Sequence, residues 1–343
     1  MPQLRLLQGS GDYRIEGIGT TEHRGDGRMS KLGLVFPGQG AQYAGMGKDL
    51  YDHFAEAREC FTVAGDILKT DIAALCFNGP QSELDRTINT QTTVLTVGIA
   101  AFCVFQKATA LIPAVMAGHS LGEFTALYAA GALDLPDVVS IVHQRAALQQ
   151  NAVPDGAGCM AAIMGLERGD VEKLCRLHST NGATVQAANY NGPAQLVISG
   201  DTAAVEKVIA AAKEKKARRV MKLPISIPCH CGLLDGAADR FGEVLARYSF
   251  HDCTVPVIPN YDPSRRHSRE ESSVLLARQF NSPVRWEETV HEMARMGVTT
   301  IIELGPKKTL SGLIKRIDDR FVLHHVEDAT TLKKTVEALN RSQ

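Results

Sequence analysis

The 343 residues are 44% hydrophobic and 22% charged, an ordinary globular balance that excludes disordered, collagen-like and fibrous classes. A formal net charge of -1 argues against a nucleic-acid binder driven by bulk positive charge, although local patches can still steer an acidic partner. Eight cysteines are spread along the chain without a CxxC pair, which reads as reduced thiols in a cytoplasmic protein and not as a disulfide scaffold.

Residues 1–28 are rich in glycine and charge and lack the apolar core of a secretion signal, so 1–29 read as a disordered extension. Residues 32–36 are an apolar run halted by Pro37-Gly38-Gln39-Gly40, the pattern of a buried strand ending at a tight turn. A helix is expected near Met46 and another over 90–106. The longest apolar stretch, 92–106, is too short to span a bilayer, and no membrane association is expected. Residues 112–117 form a second apolar run that meets Gly118-His119-Ser120-Leu121-Gly122 and then an alanine-rich stretch over 123–132, giving strand, sharp turn, helix. Helical spacing over 137–150 places Arg145 within a helix.

From Gly158 the texture changes to six short segments in the order βαββαβ, a ferredoxin-like arrangement. Residues 156–224 therefore read as a subdomain inserted into an α/β core made of 30–155 and 225–320. After the insert come Pro228-Cys229-His230-Cys231, a helix over 233–248, a strand over 255–259, a helix over 286–296 and a strand over 299–304 that stops at Gly305-Pro306. Residues 321–343 are assigned to a C-terminal tail.

Chemistry concentrates at the turns. Gly118-His119-Ser120-Leu121-Gly122 fits GxSxG, in which the glycines allow a strand-to-helix turn that exposes the serine hydroxyl. The pattern alone also fits a serine capping a helix; its position between an apolar run and a helix points to a nucleophile elbow. A serine needs a base, and His230, in a turn between a strand and a helix, is the best candidate. His119, next to the serine, should diverge from it and support the pocket. Two backbone N–H groups suit the developing oxyanion: Leu121, after the nucleophile, and Gln39, in a turn at the same sheet edge. A plain turn fits Pro37-Gly38-Gln39-Gly40 equally well. Arg145, amid mostly uncharged neighbours, is either a partly exposed helix residue or a fork for a carboxylate.

Taken together, Phe36-Pro37-Gly38-Gln39-Gly40, Gly118-His119-Ser120-Leu121-Gly122-Glu123, Arg145, Ala188-Asn189-Tyr190-Asn191, the turn at His230, the segment 279–284 and Glu303-Leu304-Gly305-Pro306 resemble the malonyl-CoA:acyl carrier protein transacylase family. The likeness runs over 32–317. It implies an α/β-hydrolase-like core with a ferredoxin-like subdomain, Ser120 as nucleophile and His230 as base. It also implies an oxyanion hole at Gln39 and Leu121, and a substrate pocket of Arg145, His119 and Gln279. Arg145 would bind the free carboxylate of malonate, and the backbone carbonyl at Gln279 would orient the histidine in place of an aspartate. The expected activity moves malonyl from malonyl-CoA to the phosphopantetheine thiol of acyl carrier protein by a ping-pong route through a malonyl-serine ester. Fatty acid biosynthesis is the default pathway; polyketide synthesis and malonate decarboxylation use the same residues. No metal or other cofactor is called for, and a monomer is expected. A serine hydrolase is the rival, but it places an acid and then a late histidine after the serine, an order this chain lacks. Cys229 and Cys231 flank the histidine and make the site open to oxidation. Basic clusters at Lys213, Lys215, Lys216, Arg218 and Arg219, and at Lys307, Lys308, Lys315 and Arg316, are the candidate surfaces for an acidic carrier.

Overall fold

Leu32, Leu34, Val35 and Phe36 leave the first strand no polar face, and β1 (Lys31–Phe36) is buried from Leu32 onward, as a central strand of a parallel sheet must be. The computed structural model describes residues 31–180, 182–225 and 227–341, so the extension expected over 1–29 lies outside the described residues. Helices follow β1: α1 (Lys48–His53), α2 (Ala55–Leu68), α3 (Ile72–Asn78) and α4 (Gln81–Leu84), of which the sequence announced only the one near Met46. Asp71 starts α3 by accepting the Ala74 N–H at 2.8 Å, which satisfies a donor that a helix start leaves open. The long helix α5 (Thr87–Thr109) then crosses the core. By length and composition it is able to span a bilayer, which corrects the reading of its sequence as too short; 78% of its apolar window is buried inside the protein. Its threonines tolerate burial because Thr92, Thr93 and Thr96 donate their hydroxyls to the carbonyls of Ile88, Asn89 and Thr92, one turn back.

β2 (Val115–Gly118) is shorter than the apolar run before it, since Ile112 is 81% exposed ahead of Pro113. A sharp turn leads to α6 (Gly122–Ala129), and α7 (Leu135–Gln150) follows, capped where Asp134 accepts the Asp137 N–H at 2.9 Å. Next come β3 (Gly158–Met164), α8 (Arg168–His178), β4 (Val185–Gly192), β5 (Gln195–Asp201), α9 (Thr202–Glu214) and β6 (Arg219–Lys222). Their sheet is antiparallel, in the order β4-β5-β3-β6. Residues alternate across it. Cys159, Ala161 and Ile163 pack with Val171 of α8 and Val208 of α9 in one core, while Met160 and Ala162 face the other way toward Ile227 and Cys229.

The chain then passes a short 3-10 turn at Gly232–Leu234 into α10 (Asp235–Leu245), β7 (Val257–Ile258), α11 (Ser272–Asn281), α12 (Trp286–Arg295), β8 (Val298–Leu304), α13 (Thr309–Ile317), β9 (Val322–Val326) and α14 (Ala329–Arg341). The larger sheet is parallel throughout, in the order β7-β2-β1-β8-β9. Residues 322–341 are thus not a tail. β9 pairs with β8 from Thr300 opposite Val322 to Leu304 opposite Val326, and Leu332 and Val336 of α14 enter the main core. The strand escapes notice in the sequence because two histidines interrupt a half-exposed edge. Phe36, Phe124 and Leu34, fully buried in that core, each contribute about 1.5–3 kcal/mol of transfer free energy. Residues just past the carboxyl ends of β1, β2 and β8 share one cavity with residues of the antiparallel sheet, at the edge where open α/β sheets hold ligands.

Candidate active site

The elbow after β2 is shaped by close approach. A Cβ on Gly118 would lie 1.9 Å from the Gly122 carbonyl carbon, and one on Gly122 would lie 2.0 Å from the Phe36 oxygen, so only glycine fits either place. Between them Ser120 adopts a φ of 53°, a left-handed conformation that costs a non-glycine residue energy and marks a functional turn. Asn260, just beyond β7, holds that strain in place: its Nδ2 donates to Gly118 O at 2.6 Å and its Oδ1 accepts the Ser120 N–H at 2.5 Å. The Asn260 backbone N–H donates to the buried Glu123 carboxylate at 2.8 Å, and the other carboxylate oxygen lies 2.8 Å from His267 Nε2.

His230 Nε2 stands 2.7 Å from Ser120 Oγ, and its Nδ1 stands 2.9 Å from the backbone oxygen of Gln279. A carbonyl only accepts, so Nδ1 carries the proton and Nε2 offers its lone pair to the serine O–H. The carbonyl is available because Gln279 lies in the last turn of α11 and the residue four positions on is Pro283, which has no N–H to donate. Burial first, and the nearby Arg145 cation second, push the His230 pKa down to about 3, which keeps the imidazole neutral and ready to accept.

Arg145, on the face of α7 turned to the core, is 1% exposed. One terminal nitrogen donates to Ser120 Oγ at 3.2 Å and Gln279 Oε1 at 3.0 Å; the other donates to Gln91 Oε1 at 2.5 Å and Gln149 Oε1 at 3.3 Å. Its guanidinium lies 5.4 Å from the Phe124 ring centroid. Burial lowers its pKa to about 10, opposed by Cys229 and Glu123, so it stays protonated at neutral pH. Arg145 Nε and Gln149 Nε2 are buried donors without a partner among the described residues, and both side chains line the cavity. Buried unpaired donors beside a protonated guanidinium suit an incoming anion.

Gln39 and Leu121 line the same cavity, and neither backbone N–H donates to another group among the described residues. His119 turns away from the serine: its Nε2–H donates to Asn191 Oδ1 at 2.8 Å, and its ring lies 5.6 Å from that of Trp286. A bulge in β4 around Ala187 and Asn189 re-aims this part of the strand. Sequence reasoning brought Ser120, His230, Arg145, Gln39, Leu121, His119 and Gln279 to one place, and the structure gathers all of them around the cavity or its immediate support. It missed Gln91, Gln149, Asn260, Glu123 and His267 as members of the site. Asn260 had a signal, since it ends a strand-like run as Ser120 does; the two glutamines, one near the start of α5 and one near the end of α7, have none.

The acyl transferase domain family matches this chain over residues 34–334. The malonyl CoA-acyl carrier protein transacylase of Escherichia coli strain K12 is 40% identical over 309 residues, which cover 90% of this chain and 100% of that protein. Its namesake in Bacillus subtilis strain 168 is 40% identical over 311 residues, covering 91% of this chain and 98% of that protein. Among solved structures, the malonyl CoA-acyl carrier protein transacylase of Coxiella burnetii is similar with a TM-score of 0.87 at 38% identity, covering 90% of this chain and 97% of that one. A malonyl-transacylase in complex with its type II PKS acyl-carrier protein is similar with a TM-score of 0.88 at 38% identity, covering 90% of this chain and 100% of that one.

Proposed function

This chain belongs to the malonyl-CoA:acyl carrier protein transacylase family, and we propose that it transfers malonyl from malonyl-CoA to acyl carrier protein in two half-reactions through an ester on Ser120. Ser120 Oγ attacks the thioester carbonyl while His230 Nε2 takes its proton. The Gln39 and Leu121 N–H groups receive the oxyanion. Collapse breaks the carbon–sulfur bond, and His230 returns the proton to the departing thiolate. In the second half-reaction the carrier thiol gives its proton to His230 and attacks the ester carbonyl, the bond between the acyl carbon and Ser120 Oγ breaks, and His230 returns the proton to that oxygen. The Gln279 carbonyl keeps the imidazole tautomer through both.

The observation that carries this reading is the distance of 3.2 Å between an Arg145 terminal nitrogen and Ser120 Oγ. A carboxylate held by that fork lies within a few atoms of the carbonyl under attack, which selects a short diacid such as malonyl over longer ones. Burial is the main cause of the low His230 pKa and the Arg145 charge the second, so a malonyl carboxylate seated on Arg145 offsets only that second part and makes proton uptake somewhat easier. Residues 156–224 act as an inserted lobe that walls the cavity opposite a core of 30–155 and 225–320, to which β9 and α14 add. Fatty acid synthesis is the pathway served, by a monomer in the cytoplasm, a compartment suited to eight free cysteines. Intact-protein mass spectrometry after incubation with malonyl-CoA tests the scheme. A malonyl adduct on the wild type and none on Ser120→Ala is expected; an adduct on the variant, or release of free malonate in place of transfer, would sink it.

A further inference from the structure

The turn that carries Gln39 is fastened from both sides. On one side Gln39 Nε2 donates to Thr87 Oγ1 at 3.2 Å, and Gln42 Nε2 donates to Asp85 Oδ1 at 2.9 Å. On the other stands Lys307, two residues past Gly305 after β8. Its φ of 61° is left-handed, so the chain accepts backbone strain to keep a side chain where glycine would sit without cost. That side chain reaches back across the sheet edge: Nζ donates to the Gln42 carbonyl at 3.2 Å and lies 3.5 Å from the Gly40 carbonyl, with the Tyr43 ring centroid 5.7 Å away. Glu327, just past β9, completes the tie by accepting the Lys307 backbone N–H at 2.8 Å and the Tyr43 hydroxyl at 3.2 Å. Burial and Glu327 push the Tyr43 phenol up to about 12, so it remains a donor.

The tie has something to restrain. Gly40 and Gly45 bracket this segment with φ of 104° and 107°, and a Cβ on either would meet nothing within 4 Å. The glycines therefore give the segment freedom that packing does not remove. With two carbonyls and a ring face about its ammonium, Lys307 is spent on the protein's own backbone more than on a ligand. We propose that Lys307 is a positioning residue that holds residues 39–43 in place, keeping the Gln39 N–H aimed at the acyl carbonyl oxygen. This rests on the assignment of Gln39 to the oxyanion hole.

Rapid-quench mass spectrometry of Ser120 acylation by malonyl-CoA, run on wild type, Lys307→Gly and Lys307→Arg, tests it. Lys307→Gly removes the tie and also relieves the left-handed strain, so its melting temperature should hold or rise while its maximal acylation rate falls about ten- to a hundredfold, with little change in half-saturation. Lys307→Arg, which keeps the donors, should recover most of the rate. Wild-type acylation by Lys307→Gly would overturn the proposal. So would a salt-dependent loss of malonyl-CoA affinity at an unchanged maximal rate, the mark of a phosphate contact. Absence of an adduct on wild type would instead remove the acyl-serine scheme, and the proposal with it.

Discussion

His230 is kept neutral by its surroundings, and both stability and rate should record it. Its folded pKa of about 3 lies below the ordinary 6.5, so between those values the unfolded chain binds the extra proton. The stability gained by burying a neutral ring is fully present above pH 6.5 and is lost as pH falls toward 3. His230→Gln should therefore flatten the decline of melting temperature with acid across that window, as calorimetry at stepped pH would show. For the wild type, kcat/KM for malonyl-CoA, which reports the free enzyme, should stay level as pH falls past 6.5; an inflection there would contradict a base held neutral by burial. Arg145→Ala leaves a malonyl carboxylate buried without its partner. The kcat/KM preference for malonyl-CoA over acetyl-CoA should then drop about a hundredfold, equivalent to about 3 kcal/mol. These residues were legible because each is marked by its neighbours: glycines at Ser120, a proline before His230, an uncharged helix around Arg145. Gln91 and Gln149 were not, because nothing near them in sequence reveals that they meet across α5 and α7 at 2.5 Å.

Among the elements, the end of α11 takes, in the proposed scheme, the place that an aspartate has in other serine enzymes: the Gln279 oxygen lies 2.9 Å from His230 Nδ1. Pro283 withholds the N–H that would otherwise pair with the Gln279 carbonyl if the helix ran on, and it biases Ser282 toward the extended backbone seen there. Pro283→Ala should let the helix capture that carbonyl part of the time, slowing Ser120 acylation up to about tenfold with the serine still the site of attachment. Stopped-flow acylation kinetics would reveal it; an unaltered rate would mean that the extended segment, which bonds Val284 N–H to Ala188 O at 2.9 Å, fixes the carbonyl unaided. Sequence patterning located the βαββαβ insert and the strands β1 and β2, where apolar runs meet turns. It also placed β7 within the strand expected over 255–259, of which only Val257–Ile258 pair, but it failed for β9, whose edge position permits His324 and His325. Short or half-exposed strands are specified by the neighbours they pair with, and periodicity does not carry that information.

At the scale of the whole molecule, the cavity lies between a parallel sheet and an antiparallel one with separate cores, and the carrier must approach its mouth. The structure narrows the basic clusters. Lys215 is paired with Asp170 at 3.2 Å, and Lys307 is engaged with its own backbone contacts. Lys308 and Lys315 have no ion pair among the described residues and flank Leu310 and Leu313, which line the cavity. Reversing both to glutamate should slow transfer to carrier protein several-fold at low ionic strength while sparing loading from malonyl-CoA, the deficit shrinking with salt. Equal losses in both half-reactions would assign these lysines to coenzyme A instead. Chain order adds a consequence of its own. Ser120 precedes the insert, His230 follows it, and the orienting carbonyl at Gln279 comes later still. In the proposed scheme the nucleophile therefore leaves the ribosome before the groups that activate it, and a chain ended ahead of α11 should hold a serine that malonyl-CoA does not acylate.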